Sequence, residues 1–274
     1  MPMFFTTPTD GTTLAYEDYG TGTPIVFVAG WSLPTDMWER QTPFFLEQGY
    51  RCVLLDRRGH GRSDRPSAGY DTDTRADDLA ALIEHLDLRD AILVAHSTGG
   101  AEVVRYLARH GADRVSRIAL LGAAIPFMRQ TEDNPIGVPD GLIDATLADL
   151  RADRAQWLAD RAQGYYATHL GTRVSPATID IEMRRSMSCS PIAALEIQRL
   201  AFRTDHRADV AAVPVPMLLL HGVADQSIPI DLSSRQTVKL APDAELKEYP
   251  NAGHGLYQSH ADRVNADILA FIKA

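Results

Sequence analysis

The chain reads as an α/β protein, a mostly parallel, doubly wound sheet with a helical segment inserted late in its order. Three observations lead there. Apolar runs of strand length alternate with helical spacings over most of the 274 residues. Several of those runs are apolar throughout, as parallel strands covered on both faces must be. Between about 125 and 213 the alternation stops and only helical patterns remain.

In order, a hairpin comes first. Phe4 and Phe5 precede the turn signal Asp10-Gly11, and Thr13-Leu14-Ala15-Tyr16 follows with strand propensity. Apolar runs predict strands over 24–29, 51–55, 91–95, 115–121, 217–220 and 244–249. Helical spacing predicts helices over 36–48, 73–86, 98–110, 230–240 and 259–273. In the interruption, helical patterns cover 141–152, 154–166, 178–187 and 192–202. Pro126 and Pro135 mark one edge of that stretch, Pro214 and Pro216 the other. The expected organisation is a sheet core over 1–124 and 214–274, with 125–213 inserted as a helical lid.

Composition bounds the function. With 45% hydrophobic and 23% charged residues the chain is ordinary for a globular protein. A formal net charge of −9 and the lack of a basic block argue against nucleic acid as a partner. No run is long enough to predict a membrane span, and the start, Met1-Pro2-Met3-Phe4-Phe5-Thr6, has no basic leader, so a cytoplasmic protein is expected. Cys52 and Cys189 lack metal-ligand spacing, and Cys52 reads as a buried thiol in a strand. No metal and no organic cofactor are expected.

The most informative stretch is Ala91-Ile92-Leu93-Val94-Ala95 followed by His96-Ser97-Thr98-Gly99-Gly100. An apolar strand turns sharply into a helix whose apolar positions are Val103, Val104 and Leu107. A serine at such a corner is pushed out of the sheet, and the helix-start N–H groups face whatever it attacks. Taken alone, the segment also fits a plain turn with Ser97 as N-cap, and Ala95 stands where the elbow pattern has glycine.

A serine nucleophile needs a base, and the base an orienting carboxylate. Of nine histidines, His85, His110, His169, His206 and His260 read as surface groups on helices. His254 lies in the loop Pro250-Asn251-Ala252-Gly253-His254-Gly255 after the last strand, with glycines on both sides. Asp225 lies in the loop that follows His221-Gly222. Loops leaving the C-terminal ends of parallel strands gather at one edge, so Ser97, Asp225 and His254 share it.

Across nearly its whole length the chain resembles an α/β-hydrolase, and within that superfamily the cofactor-free haloperoxidase, arylesterase and perhydrolase group. The matching segments are Gly30-Trp31-Ser32 with Asp36-Met37-Trp38, Asp56-Arg57-Arg58-Gly59-His60-Gly61-Arg62-Ser63, the Ser97 elbow, His221-Gly222 leading to Asp225, and Gly253-His254-Gly255-Leu256-Tyr257. The resemblance implies Ser97 as nucleophile, His254 as base and Asp225 as its acid, with an oxyanion hole from the backbone N–H groups of Trp31 and Thr98. Two positions depart from the group. Ala29 replaces a histidine that braces the oxyanion loop, and Ser32 replaces the proline of perhydrolase-type relatives, which favours ester hydrolysis over peracid formation. The Arg57-to-Ser63 loop is expected to be structural, its charges paired locally.

The implied reaction is cleavage of a small to medium carboxylic ester through an acyl-enzyme, with peracid formation as a side activity when peroxide replaces water. Phe127, Met128, Trp157, Ile228 and Leu256 are candidate pocket residues, each equally readable as core. Three functions stay open: an ester hydrolase; a lactonase, amidase or carbon–carbon bond hydrolase on the same residues; and a ligand receptor that has kept the fold. A haloalkane dehalogenase would need a carboxylate in place of Ser97.

Overall fold

The computed structural model describes residues 3–274; Met1 and Pro2, the start of the segment expected to lack a leader, lie outside the described residues. Eight strands form one sheet in the order β1-β2-β4-β3-β5-β6-β7-β8. They are β1 (Met3–Thr6), β2 (Thr13–Tyr19), β3 (Pro24–Val28), β4 (Arg51–Leu55), β5 (Ala91–His96), β6 (Val115–Leu121), β7 (Met217–Gly222) and β8 (Glu245–Tyr249). The β1–β2 and β2–β4 pairs are antiparallel, and every pair from β4 to β8 is parallel. The helices are α1 (Thr42–Glu47), α2 (Thr72–His85), α3 (Thr98–His110), α4 (Asp140–Ala152), α5 (Arg154–Tyr166), α6 (Pro176–Met187), α7 (Pro191–Arg203), α8 (Arg207–Ala211), α9 (Ser234–Leu240), α10 (Leu256–Ser259) and α11 (Ala261–Lys273).

Apolar runs became central strands because both faces are covered. Val26, Val53 and Leu93 pack against α2 and α3 on one side, and Phe27, Leu54 and Val94 pack against Phe45, Val264 and Ile268 on the other. The single helix expected over 36–48 is broken. A 3-10 turn over Thr35–Trp38 ends before α1, because Pro43 lacks an N–H and is tolerated only in a first helical turn. The first residues of the expected 230–240 helix form turns, and His260 divides the last helix into α10 and α11. Helices α4 to α8 fall between β6 and β7. Short α8 lay below the reach of periodicity, and His206, expected at the surface, is buried there with Nδ1 2.9 Å from Asp209. Cys52 is buried, which pushes its thiol up to about 12. No helix among the described residues is long and apolar enough to cross a membrane.

The sheet order reverses at β3, whose chain continues to β4 on one side while β5 lies on the other. That switch point opens a crevice at the strand C-termini. Here α3 starts so close to β3 that a Cβ on Gly99 would stand 2.7 Å from the carbonyl oxygens of Val28 and Ala29. Gly99→Ala should therefore destabilise the protein by about 1–3 kcal/mol, read as a lower urea midpoint. Gly141→Ala, where an added Cβ meets nothing within 4 Å, should be neutral or stabilise by up to about 1 kcal/mol. Equal effects of the two would refute this account of the packing.

Candidate active site

Ser97 occupies the corner between β5 and α3 with φ 54° and ψ −121°, a backbone conformation costly for a residue with a Cβ. Its backbone is held from two sides. Ser97 N donates to Leu121 O of β6 at 2.9 Å, and Ser97 O accepts from Gly100 N and Ala124 N, each at 3.0 Å. Ser97 Oγ makes no hydrogen bond to a described residue.

The carboxylate lies in the loop after β7. Asp225 Oδ1 accepts from the backbone N–H groups of Ser227 and Ile228, both at 2.8 Å. Asp225 Oδ2 accepts from His254 Nδ1 at 2.6 Å and stands 3.3 Å from His221 Nε2. Burial opposes ionisation, but His254 and the His221 hydrogen bond overcome it and hold the carboxyl well below its usual range. The ionised acceptor fixes the proton of His254 on Nδ1, which leaves Nε2 free to take one. His221 is fixed too, donating from Nε2 to Ile228 O at 2.9 Å while Nδ1 faces the Ser234 hydroxyl at 2.7 Å.

His254 is packed rather than free. Its ring lies 4.6 Å from that of His96 and 5.2 Å, edge to face, from that of Tyr165. His96 Nε2 donates to the His254 carbonyl at 3.1 Å, and burial holds the His96 imidazole well below its usual pKa, hence neutral. The next residue is tied to the inserted helices, Gly255 N donating to Tyr165 O of α5 at 2.8 Å.

The loop after β3 completes the group. A Cβ at Gly30 would stand 2.3 Å from His96 Nδ1, so only glycine fits. The Trp31 side chain points toward the inserted helices, with Nε1 donating to Ala194 O at 2.8 Å and the ring 5.4 Å from that of Trp157. The backbone N–H groups of Trp31 and Thr98 have no acceptor among the described residues. Such a pair of free donors beside a nucleophile can receive a developing oxyanion.

Trp31, Ser97, Thr98 and His254 all line one cavity of about 590 Å³. Of the candidate pocket residues, Trp157 and Ile228 line it, and Phe127, Met128 and Leu256 do not. Leu256 is fully buried in the core beneath α11, Met128 packs behind Ile228, and Phe127 lies under the Arg207 guanidinium. Sequence reading missed Tyr165, Glu182 and Tyr257. Tyr257 Oη donates to Glu182 at 2.9 Å, Arg185 holds the other oxygen of that carboxylate, and Tyr165 Oη is 3.3 Å from Tyr257 Oη. Glu182 lies between Ile181 and Met183 in a helical stretch whose spacing does not mark it as buried, whereas Tyr257, next to the His254 loop, could have been found by proximity.

The Arg57-to-Ser63 charges pair locally only in part. Arg62 meets Asp56 at 2.9 Å, but Arg58 reaches Asp78 of α2 at 2.6 Å and Arg57 reaches Glu102 of α3 at 2.7 Å.

Comparison with known proteins agrees with this architecture. Residues 23–261 match the family model described as alpha/beta hydrolase fold. The chain is 43% identical to a non-heme haloperoxidase of Rhodococcus erythropolis, over 99% of this chain and all of the relative. It is 37% identical to a bifunctional esterase/perhydrolase of Acinetobacter calcoaceticus, over 99% of this chain and all of the relative. The crystal structure of a bromoperoxidase from Bacillus anthracis superposes with a TM-score of 0.94 at 33% identity, covering all of both chains. With fold, strand order and full-length similarity in agreement, the chain belongs to the alpha/beta hydrolase family, in the group of non-heme haloperoxidases and esterase/perhydrolases.

Proposed function

We propose that this protein is a serine hydrolase that cleaves small to medium, uncharged carboxylic esters. The observation that carries the reading is the buried Asp225–His254 pair, with His254 lining the same cavity as Ser97, Trp31 and Thr98, the last two with backbone N–H groups that find no acceptor among the described residues. His254 Nε2 takes the Ser97 proton as Oγ attacks the acyl carbonyl. The oxyanion forms against Trp31 N–H and Thr98 N–H, and His254 returns the proton to the leaving alcohol. Water then adds to the acyl-enzyme, His254 takes its proton, and Ser97 is released with the acid. Hydrogen bonds between nucleophile and base commonly tighten only when substrate is bound.

The cavity supports the substrate class. Leu142, Trp157, Phe202 and Ile228 make its walls apolar, and its size suits a small ligand. Its buried carboxylate, Glu182, is already occupied by Tyr257 and Arg185 and offers no free charge to bind a cation. The segment 125–213 acts as the lid. The esterase/perhydrolase relative supports a second outcome at the same acyl-enzyme, attack by hydrogen peroxide to give a peracid. Ser32 has no proline geometry and its hydroxyl is tied to Ser186 at 3.0 Å, so water remains the better acceptor.

Ser97→Ala should abolish turnover of an aryl acetate while the circular dichroism spectrum is unchanged; residual turnover would overturn the mechanism. Asp225→Asn should lower kcat by about 10⁴-fold through the wrong His254 tautomer, and a loss under tenfold would point to another acid. Aryl acetate hydrolysis by the wild type should be linear over many turnovers. A single burst followed by arrest would favour the receptor reading, and added peroxide should divert a minor share of acyl groups to peracid.

A further inference from the structure

One buried guanidinium, that of Arg57, bonds both to the loop after β3 and to the first residue of α3, the two segments that carry the free N–H groups of Trp31 and Thr98. We propose that Arg57 is the positioning residue of the oxyanion hole, one guanidinium that fixes both backbone donors at once; this rests on the site reading given above.

Arg57 is 2% exposed, and its planar fork reaches across the crevice. Its Nη2 donates to Gly30 O. Gly30 C=O and Trp31 N–H belong to one planar trans peptide and point in opposite directions, so holding the carbonyl aims the N–H. Leu33 N–H binds the same carbonyl at 3.3 Å, but a turn contact alone leaves the peptide free to rotate with its own loop. Nη1 of the same guanidinium donates to Thr98 Oγ1 at 3.3 Å and to Glu102 Oε1 at 2.7 Å, both on α3. Thr98 carries the second donor. The two N–H groups come from loops 67 positions apart, and Arg57 touches both residues' immediate frames.

Its surroundings keep Arg57 in this pose. His60 Nδ1 faces Arg58 O at 2.9 Å, a carbonyl that can only accept, so the His60 proton lies there and Nε2 is left to accept from Arg57 Nη2 at 3.3 Å. Glu102 is shared with a second buried guanidinium, Arg75, which also donates to Tyr70 O at 3.0 Å and contacts neither Gly30 nor Thr98 among the described residues. Removing Arg57 leaves Glu102 paired with Arg75, so the substitution strands no buried carboxylate.

The test compares Arg57→Met, Arg75→Met and Arg57→Lys, using kcat and KM for an aryl acetate and the inhibition constant of an arylboronic acid, whose tetrahedral serine adduct engages the hole. Arg57→Met should lose about 10- to 100-fold in kcat, somewhat less than deletion of an oxyanion donor. Boronate affinity should fall in parallel, with KM within about threefold. Arg75→Met should keep kcat and boronate affinity within about threefold even if it melts earlier. Arg57→Lys keeps the charge but not the fork, and should lose about 3- to 10-fold in kcat; it carries the test if Arg57→Met fails to fold. Wild-type kcat in either Arg57 variant, or equal losses for Arg57→Met and Arg75→Met, would overturn the proposal. Failure of the underlying reading would show elsewhere, as turnover retained in Ser97→Ala.

Discussion

At φ 54° and ψ −121° the backbone of Ser97 pays about 1–3 kcal/mol that no other residue of β5 or α3 needs to pay. It stays there because every bond that could release it is already made: its N–H to β6, its carbonyl to Gly100 and Ala124. The rest of the site follows from that corner. A serine pushed out at the sheet edge lets α3 begin against β3, which needs Gly99, and brings Thr98 N–H beside the hydroxyl. The same approach sets His96 against Gly30 and His254, so the three loops that meet in the cavity are packed as one body.

The inserted helices take part in building the site as well as covering it. Tyr165 O holds Gly255, the Tyr165 ring stands against His254, Ala194 O receives the Trp31 indole, and Ser186 meets Ser32. Each of the loops bearing Trp31 and His254 therefore has one anchor in the sheet core and one in the insertion. The cavity lies between those anchors, which ties its shape to both the sheet core and the inserted helices.

Buried charge near Ser97 falls into two separate groups. Asp225, His254 and His221 form one, in which a single ionised carboxylate sets the tautomers of its neighbours. Arg57, Arg75, Glu102 and His60 form the other, reaching the loop after β3 and the start of α3. The first fixes the His254 ring and its tautomer, and the second ties the Gly30 carbonyl to α3.

Much of this was legible in the residues. The central strands stand out because burial on both faces demands unbroken apolar runs, and 115–121 and 98–110 match β6 and α3 to the residue. The elbow, the Asp225 loop and the His254 loop were legible because a parallel sheet sends all such loops to one edge, which makes chain order a guide to proximity. Helix ends near Pro43 and His260 were not, since breaks depend on which N–H groups the neighbouring elements satisfy. Neither was the fate of Phe127, Met128 and Leu256, because an apolar side chain next to a site can turn toward the core as well as toward the cavity. The chain by itself determined the parallel sheet and the three loops that gather at its C-terminal edge; only the tertiary structure decided the strand order and that Arg57, 45 residues from Glu102 and 27 from Gly30, is the group that reaches both the Gly30 loop and α3. Local periodicity records which face of an element is buried, but not which distant backbone carbonyl a buried guanidinium will find.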